Sequence, residues 1–200
     1  MKNAKNRRLV CLAGKASSGK SMLIDLLKQD GYHTIKLDNL IHEYYQKDRK
    51  GYEFILENFG KEYVNEVEVD RKRLGQLVFN NPDKLKLLNE FAEKTVKYEL
   101  NNLSINGIIV VEGAVIYTAQ KNYLDVFDYF VLIERNEELI KESIAQKFAY
   151  LKDFDLKKWN PIKDNPDFIA DFVVKNNDKI TNAYNQLLKF LTKIRSDCEL

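Results

Sequence analysis

The chain is built around the stretch Gly14-Lys15-Ala16-Ser17-Ser18-Gly19-Lys20-Ser21, which has the spacing G-x-x-x-x-G-K-[ST]. An apolar run at residues 9–13 precedes it and predicts a short buried strand, and a helical pattern of apolar residues begins at Lys20. Between a strand and a helix, the two glycines allow backbone N–H groups to turn inward beside the positive end of the helix dipole. The stretch is therefore predicted to bind a triphosphate.

This phosphate loop, residues 14–21, carries two side chains with separate predicted roles. Lys20 is expected to face solvent and reach the β- and γ-phosphates, and the Ser21 hydroxyl is expected to hold Mg²⁺. The alternative is a glycine turn that happens to carry a lysine and a serine. Four fixed positions between a strand and a helix favour phosphate binding. The predicted ATP-binding residues of the loop are Gly14, Lys15, Ala16, Ser17, Ser18, Gly19, Lys20 and Ser21.

Composition sets the frame for this motif. The 200 residues, 44% hydrophobic and 31% charged, suit one globular domain, or one with a helical insertion, and a sizeable core. The net charge of +2 is spread along the chain and indicates neither a nucleic-acid nor a membrane partner. Cys11 and Cys198 form neither a disulfide framework nor a metal-ligand spacing. Because the apolar run after the basic tail is too short for a signal or membrane segment, a cytoplasmic protein is expected, with no indication of its oligomeric state.

Asp38 follows a short strand predicted for residues 33–37. Because the carboxyl ends of parallel strands share one edge of a sheet, Asp38 is expected at the same edge as the phosphate loop and is a candidate catalyst. The alternative is that Asp38 caps the helix predicted for residues 40–45. Both roles can coexist.

Residues 52–102 show a helical pattern throughout, with Pro82 placed to start the last segment. Since a parallel strand pair needs a crossover of only about a dozen residues, this insertion is predicted to form a separate lobe, about residues 52–103, that holds the second substrate. Its patch Asp70-Arg71-Lys72-Arg73 can dock a phosphate or can be the solvated first turn of a helix capped by Asp70. Spacing alone favours the solvated turn.

The clearest strand is residues 108–111, which ends in Glu112-Gly113. A carboxylate there can order the Mg²⁺ shell or can be ordinary turn chemistry, and the nearby phosphate loop favours the metal role. Strands at residues 129–133 and 172–174 complete a predicted five-stranded parallel sheet, with helices at residues 137–150 and 180–194. A polar, aromatic segment lies where a lid would be expected, at about residues 147–166. The alternative is that this segment is only a long loop.

Together these residues resemble the dephospho-CoA kinase family, which transfers the ATP γ-phosphate to the ribose 3′-hydroxyl of dephospho-CoA in the last step of CoA biosynthesis. The resemblance covers about residues 9–191. The motifs that carry it are the phosphate loop; Leu37-Asp38-Asn39-Leu40-Ile41, in the place of D-A-D-x-I/L-A-R with Asp38 on the second aspartate; Phe59-Gly60 followed by Val69-Asp70-Arg71-Lys72-Arg73-Leu74-Gly75-Gln76-Leu77-Val78-Phe79-Asn80, similar to F-G and then L-D-R-x-x-L-x-x-x-V-F; and Ala170-Asp171-Phe172-Val173-Val174-Lys175-Asn176, similar to A-D-x-x-I-x-N.

The resemblance implies a three-layer α/β P-loop kinase of the adenylate-kinase type, one domain over residues 1–200 with a helical substrate lobe and a lid. It implies ATP and dephospho-CoA as substrates and Mg²⁺ as cofactor. The implied catalytic residues are Asp38, as acceptor of the hydroxyl proton, and Lys20. Asn176 joins the ATP-binding residues, Arg71 and Arg73 join Asp38 in substrate binding, and Ser21 and Glu112 serve the metal, directly or through water.

The chain also departs from the family pattern. His42 stands where the family has the arginine of its aspartate motif, Glu93-Lys94 replaces H-P, and Ala114-Val115-Ile116-Tyr117-Thr118 replaces P-L-L-F-E. No arginine lies between Arg135 and Arg195, so the cations available near the transferred phosphoryl group are lysines, which lack the planar fork of arginine, among them Lys147, Lys152, Lys157 and Lys158. Two alternative functions are a nucleoside or nucleotide kinase of the same fold and a non-catalytic nucleotide-binding protein.

Overall fold

The computed structural model describes residues 7–113, 125–147 and 169–197. Two compact units divide the chain: Met1–Lys36 with Ser104–Leu200, and Leu37–Leu103. The elements in chain order are β1 (Arg7–Ala13), α1 (Lys20–Gln29), β2 (His33–Lys36), α2 (Leu37–Tyr44), α3 (Lys50–Asn58), a 3₁₀ turn (Lys61–Tyr63), α4 (Arg71–Phe79), α5 (Pro82–Asn101), β3 (Gly107–Glu112), β4 (Tyr129–Glu134), α6 (Glu137–Lys147), β5 (Phe172–Lys175) and α7 (Ile180–Asp197).

The first unit is organised by a five-stranded sheet in the order β2-β3-β1-β4-β5, and every strand pair is parallel. In this register Val10 of β1 lies between Val110 of β3 and Tyr129 of β4. The predicted five-stranded parallel sheet is confirmed. β2 stops at Lys36, one residue before its predicted end, because Leu37 already belongs to α2.

Both faces of the central strands are buried. Val10 and Leu12 point to the face covered by α1 and α7, while Leu9 and Cys11 point to the other face and are equally inaccessible. Strands buried on both faces read as continuous apolar runs, which is why β1 and β3 were readable from the sequence. The helical pattern that begins at Lys20 places its apolar residues Leu23, Ile24 and Leu27 in this core.

Two aspartates extend the strand pairing at the start of β4 and β5. The Leu9 N–H donates to the Asp128 carboxylate at 2.7 Å, and the Phe130 N–H donates to the Asp171 carboxylate at 2.7 Å. The backbone N–H of each aspartate donates in return to the same neighbouring residue. Side-chain oxygens thus satisfy backbone donors that would otherwise be left over where the ladders begin.

The second unit is helical, with a core formed by Tyr45, Ile55, Phe59, Val69, Leu74 and Val78. Pro82 occupies the first turn of α5, as predicted, and the Asn81 side chain caps that helix by accepting the Lys84 N–H at 3.1 Å. The lobe predicted for residues 52–103 falls inside this unit, and its role in holding a substrate stays a prediction.

The prediction that residues 52–102 are helical throughout was wrong between the 3₁₀ turn and α4. There Val64 pairs with Val69 in an isolated antiparallel bridge. The Asn65 side chain accepts the N–H groups of Val67 and Glu68, both at 2.8 Å. Such local bonds to an asparagine compete with the helical ladder, so the chain turns instead of continuing as a helix.

No helix in the described parts of the chain combines the length and the apolar character needed to cross a membrane.

Candidate functional site

The phosphate loop connects β1 to α1 at the carboxyl edge of the sheet. Gly14 and Gly19 have φ of 145° and 103°, and Ser17 adopts the left-handed conformation with φ of 60°. The N-cap residue of α1 is Gly19, which provides no side-chain cap, and no acidic residue lies in the first turn of this helix. The first N–H groups of a helix lack partners within the helix, so this end of α1 is suited to an anion.

Both motif glycines are required by space as well as by φ. A Cβ at Gly14 would lie 2.6 Å from the Ile133 carbonyl oxygen, and a Cβ at Gly19 would overlap the Asn176 amide. The loop therefore packs directly against residues at the ends of β4 and β5.

Lys20 is turned back into the loop. Its Nζ donates to the carbonyl oxygens of Gly14 at 2.9 Å and Lys15 at 2.8 Å, and the residue is only 6% exposed. The expectation that Lys20 faces solvent was therefore wrong, because the carbonyl groups of the curled loop offer acceptors within reach of the ammonium. The Lys20 charge also affects Cys11 in the core. Burial raises the pKa of the Cys11 thiol well above its usual range, and the Lys20 charge opposes that rise.

Ser21 and Glu112 lie together. The Ser21 hydroxyl donates to Glu112 Oε1 at 3.0 Å, and Glu112 is the buried last residue of β3. A hydroxyl beside a carboxylate fits Mg²⁺, which prefers oxygen ligands and keeps several waters. Within the described residues no cluster of three or more His, Cys, Asp or Glu side chains forms a metal site, so phosphate oxygens and water would have to complete the shell.

Asn176, predicted to bind ATP, holds the loop itself. Its Nδ2 donates to the Ser18 carbonyl oxygen at 2.8 Å, and the side chain is buried. Its ATP contact stays a prediction. Two further contacts to the loop were not predicted: Arg135 Nη1 donates to the Ser17 carbonyl at 3.0 Å, and Lys15 Nζ pairs with Glu137 Oε1 at 3.0 Å. No spacing in the sequence connects these residues, which only the path of β4 brings to the loop.

In the second unit, Asp38 is the second residue of α2 and is exposed. Since the helix already begins at Leu37, the alternative in which Asp38 is the N-cap was wrong. An acid in the first turn still interacts favourably with the helix dipole.

The basic patch lies at the start of α4. Asp70 caps this helix through the Arg73 N–H at 3.0 Å, so the predicted cap is confirmed. The Arg71 guanidinium contacts the His42 imidazole, with Nη1 3.0 Å from Nδ1. His42 lies one turn after Asp38 on α2, so these three side chains share one region of the second unit.

Two observations separate Arg71 from Arg73. Burial raises the pKa of Tyr45 to about 12, with the nearby Arg71 charge opposing the rise. Arg73 instead donates from Nη1 to the Glu62 carbonyl oxygen at 3.2 Å. Arg71 therefore contacts His42, which lies one helical turn from Asp38, whereas Arg73 donates to a backbone carbonyl and lies 3.9 Å from an Asp70 carboxylate oxygen. The predicted lid beyond Lys147 and the segment at residues 114–118 lie outside the described residues.

Comparison with known proteins gives consistent results. A family model for dephospho-CoA kinase matches residues 8–135. The dephospho-CoA kinase of Mycoplasma genitalium is 33% identical over 201 residues, which cover 95% of this chain and 98% of the relative. That of Aquifex aeolicus is 28% identical over 193 residues, 93% of this chain and 97% of the relative.

Solved structures match the fold. A dephospho-CoA kinase from Campylobacter jejuni superimposes with a TM-score of 0.63 at 21% identity, over 96% of this chain and 98% of that one. A shikimate kinase from Acinetobacter baumannii in complex with shikimate gives a TM-score of 0.52 at 14% identity, over 96% of both chains. The predicted P-loop kinase fold is confirmed. With a family model matching more than half of its length and a relative 33% identical along nearly all of it, the chain belongs to the dephospho-CoA kinase family.

Proposed function

We propose that this protein transfers the γ-phosphoryl group of ATP to the ribose 3′-hydroxyl of dephospho-CoA. The observation that carries the proposal is the phosphate loop at the uncapped start of α1, with Lys20 beneath it and Ser21 bonded to Glu112. These are the parts that a P-loop kinase needs for the donor. Family membership supports the choice of acceptor.

ATP binding changes the hydrogen-bond partners of the loop. Loop N–H groups and the start of α1 receive the β- and γ-phosphates, and Lys20 leaves the carbonyl oxygens of Gly14 and Lys15 for phosphate oxygens. A buried ammonium held near the phosphates offsets the charge that spreads over the γ-phosphate in the transition state. Lys20 and the other seven residues of the loop thus act by positioning and electrostatics.

Ser21 and Glu112 would hold Mg²⁺, Ser21 through its hydroxyl and Glu112 directly or through water. When bound, the ion neutralises charge between the β- and γ-phosphates. The buried position of Glu112 keeps its carboxylate aimed at Ser21.

Asp38 handles the acceptor proton. The 3′-oxygen of dephospho-CoA forms a bond to the γ-phosphorus as the bond from that phosphorus to the bridging oxygen of ADP breaks, and the hydroxyl proton passes to the Asp38 carboxylate. Asp38 is exposed and lies in the first turn of α2, so it is accessible to an acceptor. Arg71, with Arg73 in a lesser part, binds the anionic groups of dephospho-CoA.

The test is an acceptor panel. Purified protein with Mg-ATP is offered dephospho-CoA, adenosine, deoxynucleosides and nucleoside monophosphates in parallel, and product mass is measured instead of ADP release alone. We expect one phosphoryl group to be gained by dephospho-CoA only. Phosphorylation of a nucleoside or nucleotide would move the chain to another kinase class. Tight ATP binding with no phosphorylated product would identify a non-catalytic nucleotide-binding protein.

A further inference from the structure

Arg135 is the first residue after β4, and its guanidinium reaches the phosphate loop. Nη1 donates to the Ser17 carbonyl oxygen at 3.0 Å. The residue before it, Glu134, is fixed in the sheet, since its carbonyl oxygen accepts the Asn176 N–H at 2.8 Å. Arg135 therefore connects the loop to the rigid end of a core strand.

The carbonyl that Arg135 holds belongs to a strained residue. Ser17 has φ of 60°, a conformation that non-glycine residues rarely adopt. The peptide unit that follows it is held at both ends, because the Ser18 N–H donates to the Lys15 carbonyl oxygen at 3.2 Å while Arg135 holds the Ser17 oxygen. Losing the guanidinium would free one end of that unit and allow Ser17 to relax.

Among the described residues, two more side chains besides Arg135 hold loop carbonyl oxygens. Asn176 holds that of Ser18, and Lys20 holds those of Gly14 and Lys15. In a planar trans peptide the N–H points away from the carbonyl oxygen, so fixing the oxygens also fixes the direction of the N–H groups. Lys20 has to leave its carbonyls to meet a phosphate, whereas Arg135 and Asn176 can keep theirs.

The charge of Arg135 provides a second stabilising effect besides its hydrogen bond to the Ser17 carbonyl oxygen. A guanidinium does not lose its proton in proteins, so a full positive charge lies beside the loop. Its Nε is buried and has no hydrogen-bond partner among the described residues. A cation with an unmet donor is stabilised when an anion binds close by, which links its energy to phosphate occupancy.

We propose that Arg135 is a positioning residue of the phosphate loop: its guanidinium fixes the Ser17 carbonyl in the strained loop conformation and favours the bound triphosphate by its charge. This inference rests on the proposed assignment of the loop to ATP.

The test compares Arg135→Ala with Arg195→Ala. Arg195 lies over the Tyr32 ring, outside the loop contacts, and its loss changes the net charge equally. ATP binding is measured by calorimetry, with Lys20→Ala as the loop-defective reference and thermal melting to check folding. We expect the Kd for ATP to rise about 10-fold in Arg135→Ala, as for one lost charge-assisted hydrogen bond, and to stay within about 2-fold in Arg195→Ala. Added methylguanidinium should restore binding in Arg135→Ala, which a general packing defect would not allow.

Unchanged ATP affinity in Arg135→Ala, equal losses in both variants, or no rescue would overturn the proposal. If Arg135→Ala does not fold, Arg135→Lys replaces it: a raised Kd supports the proposal and an unchanged Kd overturns it. Acceptor phosphorylation by the wild type, measured on the same preparation, distinguishes failure of the Arg135 proposal from failure of the proposed function. A wild type that phosphorylates dephospho-CoA while Arg135→Ala binds ATP normally refutes only the role of Arg135, whereas a wild type that does not bind ATP refutes the assignment of the loop as well.

Discussion

At the scale of single residues, Asp38 carries the proton step of the proposed reaction. Asp38→Asn keeps the size of the side chain and removes its basicity, so we expect kcat to fall by about 10²–10⁴-fold with little change in ATP affinity. Steady-state kinetics and ATP calorimetry measure the two effects. Glu43→Gln, an exposed acid on the same helix, is the matched control and should leave kcat unchanged. An effect confined to KM would assign Asp38 to substrate binding instead.

Arg71 is the residue that we propose binds the anionic part of the acceptor. Arg71→Ala should raise the KM for dephospho-CoA by about 10- to 100-fold, since each charge-assisted hydrogen bond is worth roughly 1.5–3 kcal/mol, and should barely change the KM for ATP. Lys72→Ala removes the same charge from the neighbouring exposed position and serves as the control. Equal KM values for dephospho-CoA in the two variants would show that residues 70–73 are only a solvated first turn, the alternative that spacing alone favours.

Contacts between single side chains could be predicted from the sequence only where the parallel sheet places the two residues at the same edge. Ser21 and Glu112 were expected on one edge because parallel strands share their carboxyl ends, and they are bonded there. The burial of Lys20 and the reach of Arg135 to the loop were missed. Side-chain direction at a loop depends on where its carbonyl groups point, and no periodicity in the sequence encodes that.

At the scale of elements, two helical glycines in the second unit should respond oppositely to alanine. A Cβ at Gly51 of α3 would lie 2.5 Å from the Tyr44 carbonyl oxygen, whereas a Cβ at Gly75 of α4 meets nothing within 4 Å. Gly51→Ala should therefore lower the free energy of unfolding by about 1–3 kcal/mol through overpacking. Gly75→Ala should raise it by about 0.5–1 kcal/mol, because alanine favours a helix.

Urea unfolding followed by circular dichroism measures both glycine variants, and each acts as the control for the other. A free energy of unfolding that rises in both variants would show that helix propensity, and not the approach of α3 to Tyr44, decides stability at Gly51.

Most elements were readable because each has one dominant signal. The strands are apolar runs, α5 begins at Pro82 after a capping asparagine, and α1 ends before Gly31, which has φ of 84°. Residues 64–70 were wrongly predicted as helix because the helical pattern of the segments on either side was extended across them. The Asn65 side chain decides the turn there through bonds to the backbone, an effect that hydrophobic periodicity does not report.

At the scale of the whole molecule, Cys11 reports on opening of the core. The thiol is completely buried and its pKa is raised by that burial, so it is neither accessible nor ionised in the folded protein. In a Cys198→Ser variant, alkylation should occur only through unfolding, and ATP at 100 times its Kd should slow it about 100-fold by stabilising the folded state. Mass spectrometry over time measures the rate, with denatured protein as the fully labelled control. Equal rates with and without ATP would contradict the coupling of nucleotide binding to the core.

The position of β1 in the middle of the sheet has a consequence for synthesis on the ribosome. β1 is made first, yet its partners are β3, where Gly107 pairs with Arg7, and β4, which is made later still. At roughly 5–20 residues per second, the apolar N-terminal strand waits about 5–20 s for its first neighbour. Throughout that time the helical unit at residues 37–103 is emerging and can fold from local contacts. The nascent chain thus exposes the apolar run of β1 for longer than any of the other four strands, and chaperones that act during translation are expected to bind there.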